Sequence, residues 1–226
     1  MAKTVTIAID GPAGAGKSTI ARKLAAELGY YYVDTGAIYR TVAYFLDLLG
    51  ISPKDLDGVS RYIDELTVEI EYDEAGKQHM IMNGMDVTDE IRTPDISQKA
   101  SLVSAHAVVR DMLLDMQRDV AKKHNVIMDG RDIGTVVLPR ATVKIFLTAS
   151  AEVRAQRRCD EMLAKGQKAN LQQVLKDIQQ RDHQDMTRAV APLKQAKDAV
   201  KVDTSDLDID GVVAAIKTII AGKVKA

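Results

Sequence analysis

Eight residues constrain this chain more than any others: Gly11-Pro-Ala-Gly-Ala-Gly-Lys-Ser18. Ahead of them, Thr4-Val-Thr-Ile-Ala-Ile9 is β-branched and apolar, which predicts a buried strand. Behind them, Ile20, Leu24 and Leu28 recur at helical spacing, with Ala21 and Ala25 on the same face. A G-x(4)-G-K-[ST] match set between a strand and a helix is a phosphate-binding loop. Gly11, Gly14 and Gly16 permit a backbone path closed to most residues and let amide N–H groups converge on an anion. Pro12, Ala13, Ala15 and Thr19 complete the cradle. Lys17 is expected at the β- and γ-phosphates of a triphosphate such as ATP, and Ser18 at Mg²⁺. The loop says that such a phosphate binds; it is silent on what receives the phosphoryl group.

The 226 residues are 46% hydrophobic, enough for one substantial core with a small inserted unit. A net charge of -1 argues against general attraction to nucleic acid or an anionic membrane. Tryptophan is absent and aromatics are 4%, so a stacking platform for single strands is not expected. One cysteine, Cys159, forms no intrachain disulfide, which fits a reducing compartment. Asp10 interrupts the first apolar run too early for a secretory leader, and a cytoplasmic location is expected.

Apolar runs at Tyr30–Val33, Asn125–Met128, Val143–Leu147 and Ala199–Val202 alternate with helical patterns. With the first strand they make about five parallel strands flanked by helices, an α/β fold. Ligands of such sheets bind beyond the carboxyl ends of the strands, so the loops after Ile9, Val33 and Met128 should share one rim. From 52 to 92 the texture changes. Val68, Ile70 and Tyr72 alternate with acids, Asp73–Gly76 and Asn83-Gly84 read as turns, and Met80 and Met82 alternate again. A small, half-exposed antiparallel insert is expected there. The rest of the core would be 1–51, 93–150 and 190–226.

Asp129 follows an apolar strand, where a carboxylate either holds Mg²⁺ or caps the next segment. Arg131 and Asp132 come next, able to pair with each other or to read a polar ligand. Arg154, Arg157 and Arg158 share one helix face; Arg181, Asp185 and Arg188 share another. With the polar turn Lys165–Asn170 between them, the segment 151–189 describes either a lid over transferring phosphates or two solvated faces. Arg40 and Arg110 are either phosphate-binding arginines or surface or structural ones. His79, His106, His124 and His183 show no metal-ligand spacing. No Asn-Lys-x-Asp stretch occurs, which argues against a guanine-nucleotide switch.

Over nearly its whole length the chain resembles the bacterial cytidylate kinases. The resemblance rests on the phosphate loop, Asp34-Thr-Gly-Ala-Ile-Tyr-Arg40, Asp89-Glu-Ile-Arg-Thr93, Asp129-Gly-Arg-Asp-Ile-Gly-Thr135 and Arg188-Ala-Val-Ala-Pro-Leu193. It implies transfer of a phosphoryl group from ATP to CMP or dCMP with Mg²⁺, by a monomer. It further implies that Arg40 and Arg131 hold the acceptor phosphate, and that Ser101, Arg110 and Asp132 read cytosine. Thr35, Arg181, Asp185 and Arg188 would hold the sugar and phosphate region, and Arg154 and Arg158 would belong to the lid. Thymidylate and shikimate kinases are the rival readings among small phosphate-loop kinases.

Overall fold

The computed structural model describes residues 4–224. In chain order the strands and helices are β1 (Thr6–Asp10), α1 (Lys17–Leu28), β2 (Tyr31–Asp34), α2 (Thr35–Leu48), α3 (Leu56–Tyr62), β3 (Val68–Tyr72), β4 (Gln78–Met82) and β5 (Met85–Asp86). There follow α4 (Pro94–Val103), α5 (Ala107–Lys123), β6 (Val126–Gly130), β7 (Val143–Thr148), α6 (Ala151–Ala164), α7 (Leu171–Thr187), β8 (Val200–Asp203) and α8 (Ile209–Val224). A π-helical turn, Ile133–Val137, lies between β6 and β7.

Five strands form one parallel sheet in the order β2-β6-β1-β7-β8. The central strands are buried on both faces, as continuous apolar runs demand in a sheet covered by helices. Ile7, Ile9, Ile127 and Ile145 turn toward α1 and α8, while Ala8, Val33 and Met128 turn toward α2 and α5. The parallel register sets Asp10 beside Gly130 and Asp34 beside Asp129, so the three loops do open on one rim. Local chemistry sets the helix starts. Thr93 and Ser150 accept the N–H groups of Ile96 and Val153, and Pro94 occupies the first turn of α4.

The insert departs from its expected form. It begins with α3 and a 3₁₀ turn (Ile63–Glu65), started by the Asp55 side chain accepting from Gly58 N–H at 3.0 Å. Its sheet is half-exposed as expected: Val68, Met80 and Met82 are buried and Glu69 and Glu71 are exposed, with Ile81 the outward residue that is also covered. Val59, Ile63, Val68, Met80 and Met82 belong to the same apolar cluster as Val33, Ile38 and Leu46 of the main sheet and α2. No helix among the described residues is long and apolar enough to cross a membrane.

Candidate active site

The phosphate loop is shaped by what surrounds it as much as by its glycines. A Cβ on Gly11 would lie 1.9 Å from the carbonyl oxygen of Leu147 in β7, so nothing larger than hydrogen fits. Gly14 and Gly16 have φ of 75° and 84°, the left-handed region that side chains disfavour. Lys17 is buried and donates to the Pro12 carbonyl at 2.8 Å. Burial, and then the neighbouring Arg131 charge, push its ammonium down to about 7. Arg154 ties α6 to the loop, donating to Ala13 O and Ala149 O at 2.9 Å each and pairing with Asp182 at 2.7 Å.

Behind the loop, Ser18 Oγ and Tyr32 OH each donate to Asp129 at 2.9 Å. Burial and the Asp34 charge raise the Asp129 carboxyl to about 6. Two hard oxygen donors side by side suit Mg²⁺, which keeps waters and phosphate oxygens in the rest of its shell. No group of three or more acidic, His or Cys ligands exists among the described residues, so an all-protein metal cage is not what this site offers.

Facing the loop is a second group drawn from α2, α4, α5, the β6 loop and α7. Arg40 pairs with Asp34 at 3.0 Å, and Arg131 pairs with Asp185 at 2.8 Å. Ser101 Oγ donates to the other oxygen of Asp185 at 3.3 Å. Arg181 is close to both Arg131 and Arg40; burial and then these like charges lower its guanidinium to about 10. The Nε atoms of Arg40 and Arg181 are buried without a partner. Two guanidinium N–H groups without a partner, among clustered arginines, suit an anion. Beside it, Asp132 lies between Arg110 and Arg188, the latter at 3.1 Å. The Arg110 guanidinium sits 5.5 Å over the Tyr39 ring.

Three residues stand elsewhere than their motifs suggested. Arg158 lies on the exposed side of α6, paired with Glu161 at 3.3 Å, apart from the arginine group. Arg157, on the same predicted face, donates to Thr204 instead. Thr35 directs its hydroxyl to the backbone of β6, donating to Asp129 O at 2.7 Å. Sequence reasoning passed over Asp10. This buried carboxylate accepts the N–H groups of Ile133 and Gly134, both at 2.7 Å, and burial raises it to about 6. Its signal was an acid ending an apolar strand, where a partner is obligatory.

A phosphate cradle of backbone amides, a buried lysine and an opposed set of arginines, on a parallel sheet of this order, define a phosphate-loop phosphotransferase. Residues 7–221 match the family model described as cytidylate kinase. The chain belongs to the cytidylate kinase family. It is 48% identical to a cytidylate kinase of Exiguobacterium sp. over 97% of this chain and 98% of the relative. It is equally identical to one of Carboxydothermus hydrogenoformans, over 96% and 97%. In fold it is similar to an uncharacterised protein of Eubacterium ventriosum, with a TM-score of 0.52 at 14% identity, over 97% of this chain and 99% of that one.

Proposed function

We propose that this protein transfers the γ-phosphoryl group of ATP to CMP or dCMP, giving ADP and CDP or dCDP. One observation carries the reading: the unpartnered guanidinium N–H groups of Arg40 and Arg181 gather with Arg131, and the residue after Arg131, Asp132, is framed by two further arginines. The first feature suits a monophosphate. The second suits a base with a donor beside acceptors, as cytosine presents its amino group, ring nitrogen and carbonyl. Uracil puts a carbonyl where the amino group was, setting acceptor against acceptor opposite Asp132. That mismatch costs about 1–3 kcal/mol.

The acceptor phosphate is already a nucleophile, so the protein needs only to position it and to neutralise charge. Lys17 and the loop amides hold the donor phosphates. Arg40, Arg131 and Arg181 hold the acceptor phosphate and share the charge that develops between the two. Arg188, Asp185 and Ser101 orient the nucleoside, and Thr35 supports them through its hydrogen bond to the β6 backbone. Arg154 and Arg158 bring lid charges from 151–189, and the acceptor-side insert is 52–92. Ser18 and Asp129 would hold Mg²⁺, which when bound neutralises donor phosphate oxygens. The enzyme acts in the cytoplasm as a monomer.

The test is a panel of acceptors with ATP: CMP, dCMP, UMP, dTMP, AMP and shikimate. CMP and dCMP should give the highest kcat/KM; preference for any other acceptor rejects the reading.

A further inference from the structure

We infer that Gln78, on the insert, is a positioning residue for the acceptor phosphate, acting on Arg40 through Asp34. The inference rests on the reading of Arg40 given above. β2 is an edge strand of the main sheet, hydrogen-bonded only to β6. Backbone groups on its free side must find partners elsewhere. The insert supplies them with side chains. Gln78 Oε1 accepts the Asp34 N–H at 2.7 Å, and its Nε2 lies 3.4 Å from Asp34 O. The amide thus acts on both backbone groups of one residue, much as a neighbouring strand would. Tyr72 OH makes a second stitch, donating to Tyr32 O at 3.0 Å. Gln78 is buried and also donates to the Met80 sulfur, so it has little freedom to turn away.

Asp34 is the residue through which this matters. One carboxylate oxygen accepts Ala37 N–H at 2.9 Å and caps α2. The other holds Arg40 Nη2 at 3.0 Å, while Nε of the same guanidinium has no partner. Where the Asp34 backbone sits therefore sets where the Arg40 fork points. Gln78 fixes that backbone from outside the main sheet.

The experiment is a double-mutant cycle on the full-length enzyme, with CMP and ATP varied separately and Tm recorded. Gln78→Met keeps length and apolar fit but removes the amide. It should raise KM for CMP about tenfold, the effect of one buried hydrogen bond, and leave KM for ATP within about twofold. Arg40→Ala alone should raise KM for CMP further. In the Arg40→Ala background Gln78→Met should then add less than about twofold, because the group it positions is gone. Tyr72→Phe, which loosens the insert without touching Asp34, should leave KM for CMP within about twofold. A Gln78→Met effect that persists undiminished without Arg40, or that falls equally on ATP and CMP, overturns the inference. If Arg40→Ala leaves CMP affinity unchanged, the phosphate role of Arg40 falls and the inference with it. If Arg40→Ala weakens CMP while Gln78→Met does not, the inference alone falls. Should Gln78→Met fail to fold, Gln78→Asn, one methylene short of Asp34, carries the same cycle.

Discussion

The donor and acceptor sides of this site are built by opposite means. The donor cradle is one unbroken stretch, Gly11–Ser18, and its binding groups are mostly backbone amides held by two left-handed glycines and the wall of β7. The acceptor side is drawn from five segments, and its binding groups are charged side chains held by one another: Arg40 by Asp34, Arg131 by Asp185, Arg110 and Arg188 by Asp132. A backbone cradle loses little when one side chain is removed, unless that side chain carries the charge. A mutual network loses the partners of whatever is removed.

The sharpest way to break the contrast is Lys17→Ala. It should lower kcat by about a thousandfold, since Lys17 is the charged side chain of the cradle. Tm should hold or rise, because burial already works against the ammonium. Unchanged turnover would remove the loop from the mechanism, and a collapsed Tm would make the donor side as networked as the acceptor side.

Asp132→Ala should do both kinds of damage. CMP over UMP selectivity, read as the ratio of kcat/KM values, should fall about ten- to hundredfold while KM for ATP changes little. Denaturant unfolding should show a loss of about 3 kcal/mol, from two buried arginines left uncompensated. Equal loss for both acceptors would count against base reading.

Asp10 joins the two sides, and its test is pH. Its folded-state carboxyl is raised from 3.8 to about 6, so the folded protein holds that proton more tightly than the unfolded chain. The associated stability is present below pH 3.8 and is lost as pH rises through 6. Asp10→Asn removes this loss. Between pH 4 and 6.5 the stability of the variant should therefore gain about 1–3 kcal/mol relative to wild type, by urea unfolding at each pH. Parallel pH curves would refute the burial argument.

The smallest expected effect is on the stability of Arg158→Ala. Its pair with Glu161 is solvent-exposed, and removing it should change unfolding free energy by less than about 0.5 kcal/mol. A larger loss would place Arg158 in a network that this arrangement does not contain.

The same contrast explains what could be read from residues alone. The cradle was legible because its parts are adjacent and its flanking strand and helix have different periods. The parallel strands were legible as apolar runs, to within a residue or two at their ends. The turn Ile133–Val137 was not, because its first amides are satisfied by Asp10, an acid 123 and 124 residues away in sequence. Spacing put Arg154 and Arg158 on one face of α6, yet one helical turn separates them by about 6 Å along the axis. Arg154 meets the loop and Arg158 meets water. In the insert, alternation was legible: Val68, Met80 and Met82 pack on the cluster of Val33, Ile38 and Leu46, while Glu69 and Glu71 face solvent.

The reliance of Asp132 on Arg188 also bears on the order in which the enzyme comes into being. A ribosome delivers Lys17 early, and at about 5–20 residues per second Arg188 arrives roughly ten to thirty seconds later. Once β7 and Arg154, which wall and tie the loop, have followed, and until Arg188 arrives, the nascent chain owns a place for the phosphate donor but half a place for its recipient. Competence to transfer, as distinct from competence to hold, arrives with the residue that caps α7.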